Sequence, residues 1–330
     1  MEVIVPAGIT HISLSRLSLD RISQEAITAK IILNAEIGPY LLGCVGPDIP
    51  YMGNFENNPF SNNNDVADSL HYHKTNQLPL QGLALAKKEF TDGNSELADS
   101  LFAFFIGYAS HLIADGIIHP FVRDMVGDYE PNKKAHRSLE MKLDVLVATK
   151  LLGVEVNRVS LQDDLGWIES CQNIDKVLEA FSTLIKDIHG KNLSVAKLSD
   201  LAGGMMLALD IAEGQFPEWY RSFAGKQALA YMNQEEVHAE EASLTTLTLP
   251  KDAEEKGLIQ NFMNKNEVRF FEDVIPQYFA LFPSVIEGAY RFVYENGPEI
   301  TELIPAINLD TGRMIANQDL KETPALWVIA

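Results

Sequence analysis

The chain has 330 residues, 46% of them hydrophobic and 22% charged, which is the composition of a soluble globular protein with ample material for a core. A formal net charge of −20 counts against long nucleic acids and anionic bilayers as routine partners, because basic patches supply that affinity. Two cysteines far apart in sequence, Cys44 and Cys171, exclude a disulfide scaffold.

The opening MEVIVPAGITH has neither a basic n-region nor a long apolar h-region, so no secretory signal is expected and a cytoplasmic location is the default. Helical periodicity starts with SRLSLDRISQEAITAKIILNAE and returns in LQGLALAKKEF, with apolar residues three and four apart. Between them, residues 46–65 are rich in Gly, Pro and Asn and read as one long loop, a length associated with function. The apolar run from Leu101 to Ile118 is interrupted by Ser110, His111 and Asp115, so no transmembrane segment is expected. Residues 127–134 break two helices, and 240–257 read as a linker or capping segment. Only TLTLP near position 248 and the tail from Leu326 to Ala330 suggest strands. The stretch from Phe262 to Asn296 resumes a helical pattern, and its many aromatics read as core. The expected architecture is all-α: one domain over 1–330, with a metal-ligand half at 1–144 and a helical half with a C-terminal extension at 145–330.

The chemistry lies in the histidines. Six of the eight fall in the first 136 residues: His11, His71, His73, His111, His119 and His136. His111, Asp115 and His119 stand at i, i+4 and i+8, within an arc of roughly 80° on a helix. They form a polar stripe on a segment that is otherwise apolar all round, hence buried. Burying them is costly unless they are paired or hold a metal. The residue before a proline is biased away from helical geometry, so Pro120 is expected to fray the helix at His119. His136 and Glu140 again share a face, and a hairpin through the break at 127–134 would bring the two stripes together, as in metal sites of helical bundles. Imidazole and carboxylate without thiolate suit Zn²⁺ with a position left open for water. His11, Asp48 on its loop, and His71 or His73 are candidates to join from outside the hairpin. His189 and His238 have no partner at ligand spacing and read as ordinary histidines.

In this order, ITHISL, LLGCVGPDIP, LHYHKT, SHLIADGIIH and HRSLE resemble the ligand segments of the zinc-dependent phospholipase C family, whose all-helical trinuclear-zinc fold is shared with the S1/P1 nucleases. The likeness spans residues 8 to 144. It implies that His111, Asp115, Asp48 and His71 (a better match than His73) hold one Zn²⁺, and that His119, His136 and Glu140 hold a second. His11 would hold a third, bridged to the first by Asp115. Secreted members bind that third ion through an N-terminal Trp; this chain has none there, and the site either uses a backbone carbonyl of PAGIT or is weak or empty. The Asp115–His119 spacing is tighter than in the secreted enzymes, and no C-terminal lipid-binding β-sandwich is evident.

The implied activity is zinc-dependent phosphoric ester hydrolysis by a zinc-bridged hydroxide, with Asp48 as the catalytic residue that orients or deprotonates the water. The implied substrate is a phosphoester, a phospholipid head group among the candidates. Two competing functions are an S1/P1-type nuclease, disfavoured by the charge, and a non-catalytic metal-stabilised binding protein. Nothing in the sequence fixes the oligomeric state.

Overall fold

The computed structural model describes residues 8–54, 58–60, 63–127, 129–156, 171–212, 233–249 and 265–315. Twelve α-helices run in chain order among the described residues. They are α1 (Gly8–Leu19), α2 (Ile27–Ala35), α3 (Ile37–Cys44), α4 (Asn64–Tyr72), α5 (Gln77–Thr91), α6 (Ser95–Val126), α7 (Tyr129–Val147), α8 (Ile174–His189), α9 (Val195–Ala212), α10 (Gln234–Ala239), α11 (Glu241–Thr245) and α12 (Ile275–Tyr294). Among the described residues strands are confined to two short antiparallel pairs, β1 (Met52–Asn54) with β2 (Asn58–Phe60) and β3 (Thr246–Thr248) with β4 (Glu267–Arg269). The all-α expectation therefore holds.

Helix α6 is the axis of the fold. It is long and apolar enough to cross a membrane by composition, but 94% of its most apolar window is buried inside the protein. A helix apolar all round needs cover on every side. Helices α3, α5, α7 and α12 all pack against it. The approach of α3 is the tightest. A Cβ on Gly107 would lie 2.0 Å from the carbonyl oxygen of Tyr40, and one on Gly43 would lie 2.0 Å from that of Phe104. Glycine at both positions is what lets the two backbones touch.

Four expectations need correction. Residues 46–65 are not one irregular loop: a 3₁₀ turn (Gly46–Tyr51) is followed by the β1–β2 hairpin, and α4 begins at Asn64. Gly, Pro and Asn serve tight turns as readily as open loops. The helix does not fray at His119, because α6 continues through Pro120 to Val126. Proline removes one hydrogen bond, to the Gly116 carbonyl, and surrounding packing holds the rest. The break at 127–134 is shorter than read: Gly127 turns at φ +89°, α7 starts at Tyr129 and it kinks at Asn132. Within the stretch Phe262–Asn296, the described residues open with β4 and a π turn (Phe270–Val274) before α12, where a helical pattern is expected throughout. TLTLP does form a strand, β3, and the 240–257 segment begins as α11. The tail at 326–330 lies outside the described residues.

Candidate metal centre

Five elements deliver the eight singled-out side chains to one interior volume. His11 comes from the first turn of α1, Asp48 from the 3₁₀ turn and His71 from the end of α4. His111, Asp115 and His119 come from α6, and His136 and Glu140 from α7. Three sets of ligand atoms lie within 4.8 Å of one another: His11–His111–Asp115, Asp48–His71–His111 and His119–His136–Glu140. His73 caps α4 on the exposed side, so of the two neighbouring histidines His71 is the one inside. His189 and His238 lie elsewhere, with ring nitrogens 2.9 Å from Ser69 Oγ and 3.3 Å from Thr149 Oγ1.

Asp115 is the hub. Its Oδ1 lies 3.2 Å from His11 Nε2 and 3.5 Å from His119 Nε2, while its Oδ2 lies 3.1 Å from His111 Nε2 and 3.8 Å from His71 Nε2. On one flank His71 Nε2 is 3.3 Å from Asp48 Oδ1. On the other, Glu140 Oε1 lies 2.9 Å from His119 Nε2 and 3.3 Å from His136 Nε2. The grouping differs in detail from the one the resemblance implies: His111 belongs to two sets, and His11 stacks on it with ring centroids 4.1 Å apart.

Backbone contacts aim these rings. His111 Nδ1 donates to Cys44 O at 2.8 Å, and His71 Nδ1 donates to Ala67 O at 2.8 Å. A carbonyl only accepts, so both Nδ1 atoms carry a proton and both Nε2 atoms are turned to the cluster, where each offers a lone pair whenever its ring is neutral. The α3–α6 approach at Gly43 and Gly107 is what places Cys44 O there. His11 is held from two sides. Asp144 Oδ1 accepts from Thr10 N at 2.8 Å and from Thr10 Oγ1 at 2.5 Å, which ties the start of α1 to α7. Tyr278 of α12 and Ser110 share a 2.6 Å hydrogen bond, Ser110 and Ser15 one of 2.5 Å, and Ser15 Oγ donates to His11 O at 2.7 Å. Because Ser15 gives its own hydrogen to the carbonyl, the chain runs from Tyr278 through Ser110 and Ser15 to His11.

The electrostatics are those of opposite charges held out of water. Burial works against ionisation of Asp115, but His111, His119 and His11 outweigh it and hold the carboxyl well below its usual range. Burial likewise opposes the charge on Glu140, yet His136 and His119 keep it low. Asp48 is lowered in the same way, by His111 and His71 against its desolvation. Desolvation would lower His119, but Asp115 and Glu140 push it up to about 10. His11 and His71 are also raised against burial, chiefly by Asp115 and by Asp48 respectively. Three carboxylates thus stay ionised in a dry interior.

The donor set fits a metal. Among the described residues His111 Nε2 is buried without a hydrogen-bond partner although Asp115 Oδ2 is 3.1 Å away, the disposition of two groups converging on a third body. A cavity of about 20 Å³, room for one water or ion, is lined by Thr10, His11, Asp115, Ile118, His119, Glu140, Leu143 and Phe270. Nitrogen and oxygen donors without thiolate suit zinc with an open position. Burial pushes the nearby Cys44 thiol up to about 12, and its Sγ donates to Tyr40 O, so it is no ligand.

Sequence reasoning missed four residues from 144 onward that complete these surroundings: Asp144, Phe270, Tyr278 and Asp310. Asp144 continues the His136–Glu140 spacing by four residues, and that periodicity was the one available signal. The other three arrive through tertiary packing. Comparison with curated proteins and with solved structures gave no match. The family model for zinc-dependent phospholipase C matches residues 10–191, more than half of the chain, and takes in all eight clustered residues. A buried imidazole–carboxylate cluster on an all-helical scaffold and that match together place this chain in the zinc-dependent phospholipase C family.

Proposed function

We propose that the protein is a zinc-dependent phosphoric ester hydrolase. The observation that carries this is the convergence of five imidazoles and three ionised carboxylates on one buried volume, with the rings of His71 and His111 aimed inward by backbone carbonyls. Zinc bound there supplies a water acidified toward neutrality and positive charge to clamp phosphate oxygens.

Asp48, His71, His111 and Asp115 would hold one ion, and His119, His136 and Glu140 a second. A single imidazole nitrogen serves one ion, so the two sets that share His111 Nε2 are not both filled through it. A third ion would therefore depend on His11 and on Asp115 Oδ1, which lies 3.2 Å from His11 Nε2. Asp48, ionised at neutral pH, is the acceptor we assign for the proton of the attacking water. Asp115 lies between the two sets, with an oxygen 3.8 Å from His71 Nε2 and another 3.5 Å from His119 Nε2. Phe270, Leu143 and Ile118 make the apolar wall that limits water beside the reacting phosphate. His119 and Glu140, with side chains 18% and 15% exposed, mark the side from which a phosphoester reaches the centre. The same reading treats 1–330 as one helical domain, since Phe270 and Tyr278 pack onto the ligand helices.

The test is activity toward bis-p-nitrophenyl phosphate, a choline phospholipid vesicle and single-stranded DNA in parallel. Hydrolysis of a phosphodiester that stops with chelator and returns with Zn²⁺ is expected, with DNA the poorest substrate at a net charge of −20. Activity indifferent to chelator rejects the proposal.

A further inference from the structure

The segment 304–315 lies beyond the residues that match the family, yet it returns to the metal centre. Leu309 N donates to His71 O at 3.0 Å. Thr75 Oγ1, four residues past His71, donates to Ile307 O at 2.7 Å and accepts from Ile307 N at 3.1 Å. Asn76 Nδ2 donates to Ile304 O at 2.9 Å. Those contacts fix one end of the strap to the His71 end of the cluster.

Its other end is fixed to α6 beside Asp115 and His119. Gly312 sits at φ +67°, and a Cβ on it would lie 2.4 Å from the Gly116 carbonyl oxygen and 2.9 Å from Pro120. That carbonyl is the one Pro120 deprives of its helical donor. A Cβ on Gly116 would in turn lie 2.3 Å from Ile307 Cδ1. One helical turn beyond His119, Arg123 Nη1 donates to Asp310 Oδ2 at 2.6 Å, with Arg123 2% and Asp310 4% exposed. The charged groups facing Asp310 besides Arg123 are His119, His136 and Glu140. Within the strap, Asn308 Oδ1 accepts from Asp310 N at 2.9 Å and Thr311 N at 3.0 Å, which holds the Asp310 carboxylate in place.

A buried ion pair is a poor source of stability, because desolvation offsets most of its attraction. What it does well is specify register, since its geometry tolerates no slip. We infer that segment 304–315 is a buttress of the metal centre and that Asp310 is its positioning residue: paired with Arg123, it sets the separation between the His71 end and the His119 end of the cluster, and so the retention of zinc. This rests on the zinc reading above.

The experiment measures zinc affinity by chelator competition, and thermal unfolding with and without zinc, in the full chain. The panel is the wild type, Asp310→Asn, Thr75→Val and Tyr294→Phe. Loss of a direct partner of a metal ligand typically changes affinity ~10–100-fold; Asp310 acts one step further out, through Arg123 and the strap, and Asp310→Asn is expected to weaken zinc binding by ~10-fold with helical circular dichroism retained. Thr75→Val, milder, moves affinity in the same direction and decides the matter if Asp310→Asn does not fold. Tyr294→Phe removes a 2.6 Å hydrogen bond to Asp99 far from the cluster and is expected to lower thermal stability without changing zinc affinity. Variants that lose stability but bind zinc as tightly as the wild type overturn the inference while leaving the zinc reading intact. A wild type that takes up no zinc overturns both.

Discussion

The two flanks of the cluster are built differently. At the Asp48–His71–His111 flank every side chain is at most 11% exposed, and both rings spend Nδ1 on a backbone carbonyl. At the His119–His136–Glu140 flank, His119 and Glu140 are partly open, and the Nδ1 atoms of His119 and His136 have no hydrogen-bond partner among the described residues. Two rings of this open flank are placed by each other and by neighbours, with His136 edge-on to His119 at 5.2 Å and to Tyr129 at 4.9 Å. The first arrangement suits holding an ion, and the second suits an ion that exchanges ligands with substrate. Closed and open metal sites divide along the same line.

Substitutions can break this comparison. The largest effect is expected from His111→Ala, which removes the ring common to two ligand sets. Activity should fall by ~10³-fold or more, the worth of several kcal/mol of metal assistance, and zinc content should fall at the closed flank. Glu140→Gln should also abolish turnover, but by emptying the open flank alone, so that elemental analysis still finds the closed-flank ion. Equal zinc loss in both variants would erase the distinction between the flanks.

Packing substitutions sharpen the same contrast with smaller effects. Gly107→Ala forces α3 away from α6 and with it Cys44 O from His111. A destabilisation of about 3 kcal/mol in denaturant unfolding is expected, the upper part of the range for overpacked cores, with zinc weakened chiefly at the closed flank. Tyr278→Phe removes one hydroxyl from the chain that ends on His11 O. About 1 kcal/mol is expected in the same measurement, as for a single buried hydrogen bond.

The pH dependence of the zinc-free protein tests the same groups without any substitution. Asp115, Asp48 and Glu140 are lowered on folding, so their contribution is present above the ordinary carboxylate pKa and is lost as pH falls through their folded values. His11, His71 and His119 are raised, so theirs is present below the ordinary histidine pKa and is lost as pH rises, for His119 toward about 10. Thermal scans of zinc-free protein should show greatest stability between roughly pH 4.5 and 6.5, from the ordinary values of the two residue types. Zinc needs neutral imidazole, so added zinc should move the optimum upward. An optimum that ignores zinc would speak against shared use of these groups.

The α6 and α7 candidate ligands are legible because a helix repeats every three to four residues: polar side chains at 111, 115 and 119 on an apolar segment, and at 136 and 140, advertise one face each. Asp48 was legible through its PD-containing segment, although the turn that carries it was read as open loop. That helix α6 survives Pro120 was not legible, since local preference argues against it and only the tertiary cover of α6 decides. Nor could spacing reveal Tyr278 or Asp310. Their partners, Ser110 and Arg123, lie 168 and 187 residues away, and no local pattern encodes contacts that form only when the C-terminal segments fold back.

The central claim is that divalent cations neutralise the buried carboxylates and hold the inward-facing rings. Elemental analysis of the purified full-length protein, as zinc per chain, tests it most directly. The account predicts at least two tightly held zinc ions. Less than one per chain, after exposure to zinc and removal of the excess, would contradict it.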